Sequence, residues 1–152
     1  MKNLVFCFGF LLFAISCNNS KVATSDTEKM NEFEVLYQSE YGGSGKEKTE
    51  IFTTPDSFAQ MWNGTINAIS NSTDVPEVNF STKMVVAQHF RSQNSGGTTY
   101  EIKSIKQSGN KTEIFYSATP PDGMATMAIT NPMMIVVIDK VPNPVVEFKT
   151  QN

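Results

Sequence analysis

A run of six consecutive apolar residues, MMIVVI at positions 133–138, constrains the fold more than any other feature of the chain. The run is too short for a typical helix and is rich in β-branched residues, so it predicts a strand. Side chains alternate between the two faces of a strand, and a strand that is apolar at every position needs cover on both sides. We therefore expect this strand to lie centrally in a sheet, with a packed layer on each face.

Six other short segments have the composition of strands and are separated by residues that favour turns. They are residues 33–37, 48–52, 83–90, 99–105, 112–117 and 145–148. Ser108-Gly109-Asn110 predicts a hairpin turn between two of them, because Gly and Asn tolerate positive φ. The glycine-rich residues 41–46 (YGGSGK) predict a second hairpin turn, between the first two strands.

A single helix is predicted to begin near Thr54, which can cap it, with Pro55 in the first turn and Asp56 at the positive end of the dipole. An apolar stripe follows at helical spacing, consisting of Phe58, Met61, Trp62, Ile66 and Ile69. The 152 residues suffice for one domain with a real core. Together these patterns predict an α+β fold, a mainly antiparallel β-sheet or sandwich with one principal helix packed against it.

The N-terminus carries the strongest functional signal. Lys2 precedes an apolar run at residues 4–16, which is too short to span a membrane and fits the hydrophobic region of a secretory signal. Residues 13–17 (FAISC) resemble the bacterial lipobox, in which the cysteine is lipidated and becomes the mature N-terminus. We expect a lipoprotein signal peptide at 1–16, lipid attachment at Cys17, a flexible tether at 17–31 and a folded domain at 32–150. An ordinary signal peptide cleaved near Ser16 is the alternative.

The anchor also bears on location and redox chemistry. Two or more acyl chains anchor a protein stably to a membrane. Asn18 is not the aspartate that retains lipoproteins at the inner membrane of enteric bacteria, which favours the outer membrane facing the periplasm, with the cell surface as the alternative. Cys7 lies inside the signal, so the mature domain has no disulfide and no thiol nucleophile. A net charge of -3 and a lone arginine, Arg91, argue against nucleic acid as a partner.

Motifs for catalysis or cofactor binding are not found. His89 is the single histidine, whereas a zinc or iron site usually has several His or Cys ligands, and its place in a strand pattern favours a structural role. Residues 42–46 do not form a phosphate loop, because Glu40 and Glu47 occupy the positions that require Gly and Ser or Thr. We expect no catalytic residues, metal or cofactor, with a hydrolase that uses carboxylates or His89 as an alternative. The sequence defines no small-molecule ligand.

The glycine pair Gly96-Gly97 raises the question of a phosphate cradle, but a strand follows it rather than a helix N-terminus. The pair therefore predicts a sharp turn into the strand at 99–105, with a contact role as the alternative.

Residues 76–148 carry several short motifs in a specific order: PEVNF at 76–80, the strand at 84–87, Gly96-Gly97, YEIKSI at 100–105, PPDG at 120–123 and NP at 131–132. This order resembles the C-terminal domain of the PrcB family, lipoproteins named as subunits of a bacterial surface protease complex. The helix with Phe58 and Trp62 is similar to the region that precedes that domain. The resemblance implies a non-catalytic, surface-anchored accessory protein that binds or helps assemble another protein, with a protease as one candidate.

The order of the loops also resembles small β-rich protease inhibitors of the chagasin type, which insert three loops into a protease cleft. The corresponding stretches here are 94–98, 120–123 and 131–132. The candidate partner-binding residues are Gly96, Gly97, Tyr100, Pro121, Gly123 and Pro132. We therefore expect an envelope-anchored lipoprotein that binds a protein partner. A chagasin-like inhibitor, a structural envelope protein and a hydrolase are the alternatives.

Overall fold

The computed structural model describes residues 31–70, 74–123 and 125–151. The predicted signal peptide, Cys17 and the tether up to residue 30 lie outside the described residues. Seven strands form within them: β1 (Glu34–Ser39), β2 (Lys48–Phe52), β3 (Lys83–His89), β4 (Thr99–Ser108), β5 (Lys111–Thr119), β6 (Met133–Asp139) and β7 (Val145–Thr150). Every strand predicted from the sequence is present, and the α+β fold class is confirmed.

The first sheet has four strands in the order β1-β6-β3-β2, and all neighbouring pairs are antiparallel. Its two central strands, β3 and β6, are the most apolar in the chain. All six residues of the MMIVVI run are buried, which confirms the prediction that β6 is covered on both faces.

The predicted hairpin between β1 and β2 is wrong, because these strands lie at opposite edges of the first sheet. Strands β3 and β6 each bury both faces, so the sheet is most stable when they occupy the centre and the half-polar β1 and β2 lie outside. The glycine-rich segment 41–46 therefore crosses the end of the sheet instead of turning back on itself.

The second sheet has three strands in the order β4-β5-β7. Strands β4 and β5 form the predicted hairpin, and its turn residue Gly109 has a φ of 62°. Strands β5 and β7 pair in parallel, because the chain crosses to the first sheet through β6 before it returns. The two sheets pack face to face, and their shared core includes Met84, Val86, Val136, Ile105 and Ile114.

The helical segment covers the other face of the first sheet. Helix α1 (Pro55–Met61) continues through a π-helical turn (Trp62–Ile66) into α2 (Asn67–Ser70). Phe58, Trp62 and Ile66 are buried against the sheet, as the apolar stripe predicted. Ile69 was expected to extend the stripe but is about half exposed, because the wider π-helical turn shifts the residues that follow it around the axis. The molecule thus has three layers: helix, four-stranded sheet and three-stranded sheet.

Candidate partner-binding site

Three loops meet at one end of the molecule. Ser39 and His89 both pair with Met133, and Thr99 pairs with Thr119. The strands that begin or stop at these positions therefore do so at the same end of the sandwich. The connecting segments 40–47, 90–98 and 120–132 therefore form one surface, which we call the loop end. The chain enters the fold at the opposite end, where the Asn31 side chain donates a hydrogen bond to Gln107 Oε1 (2.9 Å).

The glycine-rich segment 41–46 is fitted against the third loop. The amide of Gly43 donates to the carbonyl oxygen of Asn131 (2.8 Å), and the amide of Asn131 donates to the carbonyl oxygen of Glu40 (2.9 Å). A Cβ atom on Gly43 would lie 2.5 Å from the carbonyl oxygen of Pro132. The glycine is therefore needed for close approach of two backbones, and no phosphate cradle is formed by this segment.

The glycine pair joins the second loop to the other two. The amide of Gly96 donates to the carbonyl oxygen of Thr126 (3.1 Å), while the amide of Gly97 donates to the carboxylate of Glu40. Gly97 has a φ of +93°, and a Cβ atom there would lie 2.8 Å from Pro121. The pair therefore turns the chain, as predicted, and also fixes all three loops to one another.

His89 ties the first loop to the sheet below it. The amide of Ser44 donates to His89 Nδ1 (3.0 Å), so the ring proton is on Nε2, which donates to Glu50 Oε2 (2.8 Å). The hydroxyl of Ser44 donates instead to the carbonyl oxygen of Lys46 (3.0 Å), so these three side chains do not form a nucleophile-base-acid relay. The buried imidazole acts here as a structural link between loop and strand.

Charge also stabilises this link. Burial raises the pKa of the Glu50 carboxyl, but the hydrogen bonds from Lys48 and His89 outweigh burial and hold that pKa below its ordinary value. Lys48 Nζ lies 2.8 Å from Glu50 Oε1. The carboxylate is therefore the form that the folded protein prefers.

The most exposed apolar side chains of the described residues lie on the loop end. Met127 is 100% exposed and Ile129 is 73% exposed, and Tyr41 on the neighbouring loop is 52% exposed. Residues 125–130, which we call the loop tip, contain no charged side chain. Large apolar side chains left in water at neighbouring positions are typical of surfaces that bind another molecule.

The loop tip is held at two points. Thr126 accepts the bond from Gly96, and Gln93 and Thr130 exchange a pair of backbone hydrogen bonds (2.9 and 3.0 Å). Met127 and Ile129 lie between these points. The tip therefore projects its apolar side chains from a fixed base, which lowers the entropic cost of binding.

The candidate partner-binding residues predicted from the sequence differ in their burial and contacts. Gly96, Gly97 and Pro121 come together on the loop end, whereas Pro132 is buried at its base and Gly123 is exposed. Gly123 has a φ of +98° and open space around it, so its conformation, not packing, requires glycine.

The ring of Tyr100 packs in the core beneath the loop end. The residue lies in β4, its ring stacks on Phe90 with 3.9 Å between ring centroids, and only 7% of the residue is exposed. Burial and the neighbouring Tyr116 raise the pKa of its phenol. Its ring therefore belongs to the core between the sheets, while the residue also lines the small groove beside the glycine pair.

Sequence reasoning missed Tyr41, Met127 and Ile129. The only signal for Met127 and Ile129 was an uncharged apolar stretch, ATMAIT, between two proline-containing turns in a segment with no strand pattern. The sequence pattern of such residues does not distinguish them from buried ones.

A groove of about 610 Å³ beside the start of the helix is the alternative site. Its walls are mainly apolar, and Glu77 and Asn79 are its polar lining residues. In the parts of the chain that the structure describes, no group of three or more His, Cys, Asp or Glu side chains could hold a metal ion.

Comparison of the chain with protein-family models, curated proteins and solved structures found no match. The resemblance to the PrcB family stays a prediction from the order of the motifs. Among the described helices, none has the length and hydropathy that a membrane span requires.

Proposed function

We propose that this chain is an envelope-anchored, non-catalytic lipoprotein that binds a protein partner through its loop end. The observation that carries the proposal is the fully exposed Met127 beside Ile129 on a tip fixed at both sides. Burying an apolar side chain of this size contributes about 1.5–3 kcal/mol, which makes the pair a suitable anchor for a partner.

The shape of the loop end suits a protein surface better than a small molecule. The exposed side chains project outward, and the groove next to the glycine pair has a volume of only about 220 Å³. Small-molecule sites usually enclose about 300–1,000 Å³. A partner that offers an apolar pocket to Met127 and Ile129, with a small side chain in the neighbouring groove, would fit this surface.

The position of the loop end supports the anchored arrangement. Residue 31 enters the fold at the end opposite to the loop tip, so the proposed lipid at Cys17 and the proposed binding surface attach to opposite ends of the domain. The motif order that resembles the PrcB family makes an accessory role in a protease complex the first candidate for the assembly.

A second candidate, a loop-mediated protease inhibitor of the chagasin-like type, is favoured by one specific observation. Of the stretches that suggested that interpretation, 94–98 and 120–123 lie on the loop end, and 131–132 lies at its base, where Pro132 is buried. Inhibition of a panel of cysteine, serine and metalloproteases by the soluble domain would distinguish it from an accessory subunit, which would inhibit none at micromolar concentration.

The binding surface is tested by capture from solubilised envelopes with the tagged full-length protein. We expect Ile129→Glu to lose at least about tenfold in recovery of a specific partner, since a charge would be desolvated in the contact. Val145→Glu is the matched control, because Val145 is also an exposed apolar residue (47%) but lies in β7 of the second sheet. Equal loss in both variants, or loss in neither, would contradict the proposed surface.

The anchor is tested separately by fractionation. Cys17→Ser should move the protein from the membrane fraction to the soluble fraction, because a thioether-linked lipid can no longer form. A variant that stays in the membrane fraction would refute lipid attachment at Cys17 without affecting the proposal for the loop end.

A further inference from the structure

We propose that Met127 is a preferred oxidation site of this protein, at which a peroxide converts the thioether to a sulfoxide and so removes one of the two large apolar groups of the loop tip. The consequence for binding rests on the proposed function, whereas the oxidation itself does not.

Exposure distinguishes Met127 from the methionines of the core. Met127 is 100% exposed, while Met84, Met133 and Met134 are buried in the two cores of the sandwich. Methionine oxidation requires contact between sulfur and oxidant, so its rate follows accessibility. The three buried sulfurs are enclosed by side chains of the sheets, and the sulfur of Met127 is in contact with solvent.

The reaction is a two-electron transfer that needs only the peroxide. A sulfur lone pair attacks one peroxide oxygen, the S–O bond forms, and the O–O bond breaks. The second oxygen leaves as hydroxide and takes the proton from the new S–OH group, which gives one sulfoxide and one water. Sulfur is oxidised and the peroxide is reduced.

The structure also indicates why the product matters at this position. A sulfoxide is polar and a strong hydrogen-bond acceptor, whereas the thioether is a soft, apolar contact group. The loop tip has no charged side chain, and its two large apolar groups are Met127 and Ile129. Oxidation therefore makes one of these two groups polar, while the backbone hydrogen bonds at Thr126 and Thr130 stay in place.

The oxidation is tested on the intact folded protein with hydrogen peroxide, followed by trypsin and tandem mass spectrometry. Cleavage after Lys111 and Lys140 releases residues 112–140 as one peptide, which holds Met127 together with Met124, Met133 and Met134. Fragment ions of this peptide then show which of the four methionines carries the added oxygen. We expect Met127 to be oxidised at least about tenfold faster than Met133 or Met134. Equal rates in the folded protein would overturn the proposal.

The consequence is tested with Met127→Leu, which keeps an apolar side chain but has no sulfur. On a phenyl hydrophobic-interaction column, peroxide should shorten the retention of the wild-type protein and leave that of the variant unchanged. An equal shift in both would place the change elsewhere and overturn the proposal.

The effect of oxidation on binding is tested by partner capture. Peroxide should reduce recovery of the partner by wild type about tenfold and leave recovery by Met127→Leu unchanged. Undiminished capture by the oxidised wild type would overturn the link to binding. If the untreated wild type captures no partner, the proposed function fails, whereas mass spectrometry and chromatography still decide whether Met127 is the oxidation site.

Discussion

Replacing Gly43 with alanine introduces a methyl group between two backbone segments that the structure brings together. The new Cβ would lie 2.5 Å from the carbonyl oxygen of Pro132 and 2.7 Å from that of Asn131. These atoms belong to the backbone just before the central strand β6, so they cannot rotate away as a side chain would. Either the segments separate and the 2.8 Å hydrogen bond from Gly43 to Asn131 breaks, or the start of β6 shifts.

The expected cost follows from these two effects. Overpacking costs about 1–3 kcal/mol, and a lost hydrogen bond adds about 1 kcal/mol, so we expect the free energy of unfolding to fall by about 2–4 kcal/mol. Urea denaturation followed by fluorescence measures this loss, since Trp62 is the single tryptophan and packs in the core against Phe58.

Gly64→Ala is the matched control. Gly64 lies in the π-helical turn, where the new methyl group would meet no atom within 4 Å other than those of its chain neighbours and its own helix backbone, and alanine favours helical conformation over glycine by about 0.5–1 kcal/mol. The control should therefore be as stable as wild type or slightly more stable. If Gly43→Ala unfolds within about 0.5 kcal/mol of wild type, the close approach of the two loops is not a structural requirement, and the reasoning fails.

Three further predictions concern the body of the fold. Phe58→Ala should lower the free energy of unfolding by about 3–5 kcal/mol in the same urea assay, because it empties the interface between helix and first sheet. Thr54→Ala should cost about 1 kcal/mol, because the Thr54 hydroxyl caps the helix, and helical signal by circular dichroism at partial denaturation would detect it. The lowered pKa of Glu50 contributes stability above its ordinary pKa of 4.5, and this stability is lost as the pH falls through the lower folded-state pKa. Glu50→Gln should therefore show a shallower loss of stability than wild type between about pH 5 and pH 3, and identical slopes would refute the role of the Lys48 and His89 hydrogen bonds.

The secondary structure was predictable because its signals are local. The MMIVVI run, the alternating strands and the helix cap at Thr54 each specify an element within a few residues, and the structure places an element at every one. The pairing of the strands was less predictable. The glycine-rich segment 41–46 has the composition of a hairpin turn, but the burial demand of β3 and β6, which are distant in sequence, places both strands between β1 and β2.

The candidate site was predictable only in part, for the same reason. The glycine pair was recognisable as a turn, whereas its contacts with Glu40, Pro121 and Thr126 come from two other loops. Tyr100 was predicted as a candidate partner-binding residue, yet its ring lies in the core, because the sequence around an aromatic residue next to a loop does not show whether its ring is buried or exposed.

The crossing of the chain between the sheets has a consequence for how the molecule folds. The chain runs from β3 to the hairpin β4-β5, back to β6 in the first sheet, and again to β7 in the second. Strand β1 has no partner until β6 is available, since Glu34 pairs with Val137. Such high contact order slows folding. When the chain emerges vectorially with its N-terminus first, β1 and the part of the helix face that packs on β6 stay uncovered until nearly all of the sequence is present. A delay at that stage would expose them to chaperones or to aggregation, so folding depends on the last third of the chain.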